Sequence, residues 1–175
     1  MTTLAGKGLL FGGCVALGIL TGLGRLRRVA CLADFRRSLS GLARELTFSL
    51  RPLPELAEDV AGSGPAGECL RACRRCFLDS GGESWAESWE TVLREADLPL
   101  SDEDRGLLAE FGQVLGRYDG ESQQRALQAL LDRLGEQVET ARQTARRLVR
   151  VLGQVVAHLR DARGTQTGRE QYGRK

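Results

Sequence analysis

Residues 127–159 read LQALLDRLGEQVETARQTARRLVRVLGQVVAHL, and within them Leu127, Leu130, Leu134, Val138, Ala141, Ala145, Leu148, Leu152, Val155 and Leu159 recur at alternating steps of three and four. This is the period of an apolar seam along one face of a long helix, suited to packing lengthwise against a second long helix. The matching stripe lies near the other end of the chain, where Phe35, Leu39, Leu42, Leu46 and Leu50 repeat at the same steps. The composition agrees with helix. Aromatic residues make up 5% of the 175 residues, β-branched residues are few outside the first 24, and the helix formers Leu, Ala, Arg and Glu are abundant. An all-α fold is expected, an antiparallel bundle of about six helices, with room for one domain of ordinary size.

The segments between the two stripes are punctuated clearly. Pro52 and Pro54 end the first helix, because a proline pushes the preceding residue out of helical geometry. A short helix over 55–61 is predicted next, closed by Gly62-Ser63-Gly64-Pro65, and a third over 66–78, closed by Ser80-Gly81-Gly82. Ser84 with Glu87 is a capping-box pattern that opens a fourth helix, with Trp85, Trp89, Val92 and Leu93 on its apolar side. The two tryptophans, one turn apart, are read as core. Ser101-Asp102-Glu103-Asp104 provides the cap and acidic first turn of a fifth helix running to about residue 116. Beyond Arg160 the apolar pattern stops, so the helical domain is placed at 25–160 and a disordered polar tail at 161–175.

Toward the N-terminus, Gly8 to Gly24 carries no charge and is followed by Arg25, Arg27 and Arg28. Taken as a helix, residues 4–23 span roughly 30 Å, the thickness of a bilayer's hydrocarbon core. Residues 4–24 are therefore read as a single transmembrane anchor that continues into the domain, with Lys7 snorkelling at its outer end. The arginines form the membrane flank and place the domain in the cytoplasm. A cleaved signal peptide is the rival reading, and the missing small-x-small cleavage site speaks against it. Two glycine-x-x-x-glycine pairs, Gly8 with Gly12 and Gly18 with Gly22, would let another helix approach closely. Self-association or pairing with another subunit's span stands beside the plain reading that glycine is common in membrane helices.

The net charge of +2 conceals a segregated pattern. Residues 25–51 hold seven arginines against two acids, residues 52–141 hold eight arginines against 19 acids, and residues 142–175 hold nine basic residues against two acids. Basic ends near an anionic leaflet and an acidic middle pointing away account for this arrangement. No stacking aromatics accompany the arginines, so nucleic acid is not an expected partner.

Signals for chemistry are sparse. Cys69, Cys73 and Cys76 have the Cys-x-x-x-Cys-x-x-Cys spacing that radical-SAM enzymes use for an iron–sulfur cluster. The same spacing puts three sulfurs on one helix face beside Leu70 and Phe77, where cysteine behaves as a small apolar residue. Core packing is the favoured reading; an iron–sulfur or thiol-redox protein is the alternative. His158 is the sole histidine, so catalytic triads and multi-histidine metal sites are excluded by counting. Acid pairs such as Asp102 and Asp104 look like solvated first-turn charges. No enzyme activity, cofactor, metal or small-molecule substrate is expected.

Two motifs carry a resemblance. Thr47-Phe48-Ser49-Leu50-Arg51-Pro52-Leu53-Pro54-Glu55 forms the junction after the first long helix, and Leu115-Gly116-Arg117-Tyr118-Asp119-Gly120-Glu121-Ser122-Gln123 precedes the last. Together with the N-terminal span they resemble the stage III sporulation protein AB family of endospore-forming bacteria, from the anchor to about Gly153. Both motifs read as structural punctuation. Pro52 and Pro54 make a rigid corner, Gly116 suits a left-handed C-cap, Asp119 is placed to cap the next helix, and Gln123 falls in its first turns. The chain departs from the family at Tyr118, where a small hydroxyl residue is usual, and at the C-terminus, where a second hydrophobic segment is usual. Residues 148–159 are too short and too polar for one.

The resemblance implies a helical domain similar to the cytoplasmic domain of the type II secretion platform protein. It further implies a scaffolding part in the secretion-like channel that links mother cell and forespore, in the mother-cell membrane around the forespore. Other stage III sporulation channel proteins, including a neighbouring ATPase, are the implied partners. A platform or stabilising subunit of a secretion or pilus machine outside sporulation is the rival within the same class.

Overall fold

In the computed structural model, residues 2–116 and 120–172 are described; side chains are described at 22–116, at 122–151, and at 153, 154 and 157. Six helices and no strand occur among them: α1 Thr2–Phe48, α2 Leu53–Asp59, α3 Pro65–Asp79, α4 Trp85–Glu95, α5 Asp102–Leu115 and α6 Gly120–Tyr172. The chain divides into a body, Arg27–Ala141, and a second unit made of Met1–Leu26 with Arg142–Lys175.

The body holds one apolar core to which all six helices contribute. Leu32, Phe35, Leu39 and Leu42 of α1 are fully buried, and α6 supplies Leu127, Leu130, Leu131, Leu134, Val138 and Ala141. Arg36 lies beside Gly135, while Thr47 and Phe48 share a groove with Gln124, so α1 and α6 run antiparallel within the body. The predicted α1 stripe is too long by one residue. Leu46 is partly buried, but Leu50 is fully exposed because α1 ends at Phe48, four residues short of Pro52. On the other side of the core, α2, α3, α4 and α5 pack in chain order. Trp89 is its largest fully buried side chain. Its ring meets Phe35 edge-on at 6.3 Å and its indole N–H donates to the Leu108 carbonyl at 2.7 Å, so the polar atom of a buried tryptophan is satisfied. Gly112 makes this possible, since a Cβ there would run into the indole.

The helix ends show how local sequence becomes structure. Pro52 is the N-cap of α2, and its carbonyl accepts from the Glu55 and Leu56 amides. Pro54 sits in the first turn, where no amide hydrogen is required, so α2 starts at Leu53, two residues before the predicted start. At the end of α3, Gly81 and Gly82 adopt φ of 78° and 81°, which glycine takes without steric cost. Ser84 accepts from the Glu87 amide, and Ser101 with Asp104 forms a complete capping box on α5. Gly116 caps α5 at φ −78°, in the right-handed region, so the left-handed C-cap expected there is not the one used.

In the second unit, Gly22 and Ala145 are buried and Leu148 is half-buried. The predicted anchor, 4–24, falls on the first turns of α1, and the side chains of residues 4–21 lie outside the described residues. Among the described residues no helix is long and apolar enough to cross a membrane. Gly8, Gly12 and Gly18, the capping roles of Tyr118 and Asp119, the side chain of His158, and those of seam residues Leu152, Val155 and Leu159 likewise lie outside them. The helical backbone of α6 runs through 161–172, where the composition predicts a disordered tail. A helix already nucleated extends at the low cost of propagation, and that stretch contains no proline. The body closes at Ala141, the last residue that α6 gives to the core.

Candidate functional site

The polar residues of the body converge on its helix joints. Arg28, read from the sequence as membrane flank, is engaged elsewhere. Its guanidinium clasps Asp104 at 2.6 Å and 2.9 Å through two nitrogens and also donates to the Ser101 hydroxyl at 3.2 Å. Asp104 is wholly buried and at the same time accepts the Ser101 amide at 3.0 Å. Burial pushes this carboxyl up, but the hydrogen bonds from Arg28 and Ser101 outweigh it and hold the carboxyl below its usual value. The same pairing raises the Arg28 guanidinium. Asp104 is therefore not the solvated first-turn charge that its position suggests. Arg25 and Arg27 are exposed.

Three further joints were not legible as such in the sequence. Asp34 on α1 accepts the Ala66 amide at 3.0 Å and so caps α3, whose own N-cap is Gly64 and offers no side chain. A Cβ at Gly64 would collide with Asp34, and one at Gly67 with the Gly62 carbonyl. Arg105 on α5 donates to the carbonyls of Leu93, Ala96 and Leu98, satisfying the end of α4. Gln123 on α6 reaches back to the carbonyls of Val114 and Leu115 at 3.1 Å and 3.2 Å, closing α5. It acts on the preceding helix, although its position suggested only the first turns of its own. Each interaction satisfies backbone groups that a helix end leaves without partners.

At the α1–α2 junction, Arg51 pairs with Glu55 at 3.2 Å and with Asp59, a network exposed to solvent. The proline corner and this network account for Arg51, Pro52, Pro54 and Glu55. Phe48 and Leu50, in the same motif, are 84% and 106% exposed and take no part in the core.

Cys31, Cys69 and Cys73 are buried and Cys76 is half-buried, all with free thiols. Burial pushes Cys31 up to about 12 and Cys69 to about 11, and Cys73 is raised further, with neighbouring groups contributing less. Thiols held protonated in this way are poor nucleophiles. Among the described residues no group of three or more His, Cys, Asp or Glu side chains could hold a metal ion. Trp85 and Trp89 are both buried. The grooves on the body are open and shallowly lined; one of about 360 Å³ lies between α1 and α6 with Arg36, Arg44, Phe48, Leu127 and Leu131 on its walls.

The family model described as stage III sporulation protein AB matches residues 3–157 of this chain. A solved structure of a stage III sporulation protein AB is similar at 26% identity with a TM-score of 0.63, the alignment covering 69% of this chain and 97% of that one. No curated protein sequence matches the chain.

Proposed function

The chain belongs to the stage III sporulation protein AB family, and from that premise we propose that it is a membrane-anchored scaffold subunit of the channel complex joining mother cell and forespore. The match over residues 3–157 carries this reading, since it includes the N-terminal segment, both junction motifs and most of the last helix. Residues 4–24 anchor the protein as a single span, Arg25 and Arg27 lie against the anionic inner leaflet, and the body faces the mother-cell cytoplasm. Its partners are other stage III sporulation channel proteins, including an ATPase. The arrangement of polar groups supports a structural role, because Asp34, Arg105, Gln123 and the Arg28–Asp104 pair are consumed in joining helices to one another.

A deletion in a spore-forming host, complemented by this chain with a fluorescent tag, tests the proposal. The expected result is arrest after engulfment, rescued by a tagged protein enriched in the membrane around the forespore. Normal heat-resistant spore yield in the deletion strain, or a diffuse soluble signal, would refute it. Arrest of a secretion or pilus system with sporulation intact would instead favour the platform role outside sporulation.

A further inference from the structure

Two surfaces of the body are left without intramolecular use, and they complement each other. The first is the end of α1. Phe48 and Leu50 are exposed there, and Phe48 borders the α1–α6 groove floored by Ala43, Leu127 and Leu131. Arg36 and Arg44, two turns apart on the groove rim, are exposed, and neither joins an ion pair among the described residues. The one acid on the rim, Asp132, already accepts from Gln128 at 3.0 Å.

The second surface is the turn between α3 and α4. Leu78 is 51% exposed at the end of α3, and around it in sequence stand Asp79, Glu83, Glu87 and Glu90, all exposed and none in an ion pair among the described residues. On α3, α4 and the turn between them the exposed carboxylates outnumber the exposed arginines, Arg75 and Arg94, whereas the α1 end presents aromatic and aliphatic residues with unpaired guanidiniums. Complementary potentials of this kind select partners and steer encounter.

We propose that the α1-end surface of one copy, Phe48 and Leu50 with Arg36 and Arg44, docks on the acidic α3–α4 turn of a second copy. A contact of the first surface with itself would oppose the arginines of one copy to those of the other, so the contact pairs unlike surfaces. Contacts that bury little surface are weak, so the association is expected to depend on protein concentration. It does not depend on the proposed place in the channel, nor on the glycines of the span.

Sedimentation velocity of the full chain in detergent, at rising protein concentration, tests the contact with two charge-reversed variants. One carries Arg36→Glu and Arg44→Glu, the other Glu83→Arg and Glu90→Arg; circular dichroism verifies that both keep the wild-type helix content. The wild type should self-associate, each variant alone should associate about tenfold more weakly or worse, and a mixture of the two should recover association. Phe48→Ser should weaken the wild-type contact. A wild type that stays monomeric overturns the proposal, as do variants that associate like the wild type and a mixture that remains monomeric.

Discussion

Asp104 is a charged residue built into the interior of the body. Its carboxylate is wholly buried, with the Arg28 guanidinium, 31% exposed, as its countercharge. Removing one member of a buried pair strands the other, so Arg28→Met is expected to cost about 3 kcal/mol, read as a lowered urea midpoint. The folded carboxyl titrates below its unfolded value of about 3.9. Its contribution is thus complete above that unfolded value and is lost as pH falls through the folded one. Stability of the wild type should drop steeply on that acid limb, and Asp104→Asn should flatten it; an equally steep limb in the variant would show that other carboxylates dominate. Gly112 is the second sensitive position. Gly112→Ala should overpack the core against Trp89 and cost about 1–3 kcal/mol, visible as a lower Tm. The sequence marks Asp104 as a first-turn acid and Arg28 as a flanking base. The two are 76 positions apart, and no local pattern links them.

Among the elements, α3 and α5 contrast in how they begin. Helix α5 carries its cap in its own sequence, Ser101 with Asp104, and a reader of the sequence finds it. Helix α3 borrows its cap from Asp34 on α1, 32 positions away, and Gly64 must remain glycine to admit it. Asp34→Ala should therefore cost about 1 kcal/mol, comparable with Ser101→Ala, although only the second loss is foreseeable from local sequence. The exposed Arg37–Asp34 pair adds little to that figure. The corner after α1 is a different device. Pro52 and Pro54 restrict the unfolded chain as well as shaping the folded one, so replacing both with alanine should lower stability by roughly 1 kcal/mol and reduce spore yield. Unchanged stability with normal spore yield would show the corner to be dispensable.

For the whole molecule, the buried core residues of the body, among the described residues, run from Cys31 to Ala141, with Val29 packed against them. A fragment of residues 27–141 should therefore fold alone as a helical domain and unfold in one cooperative thermal transition by circular dichroism; a broad, non-cooperative melt would show that the second unit is required. Periodicity determined the number and order of the helices, the buried stripe of α1 and the seam of α6 as far as Ala145, because apolar residues at steps of three and four share one helix face. Proline, glycine and serine at the breaks determined where most helices stop and start, since those residues act on their own backbone. Only the tertiary structure decided which polar side chains serve the fold and which remain free. Asp34, Arg105 and Gln123 look like surface residues until a neighbouring helix end comes within hydrogen-bond reach. Leu50 looks like core until α1 ends before its stripe does. Burial and partnership depend on distances across the fold, and those are set by the packing of all six helices together.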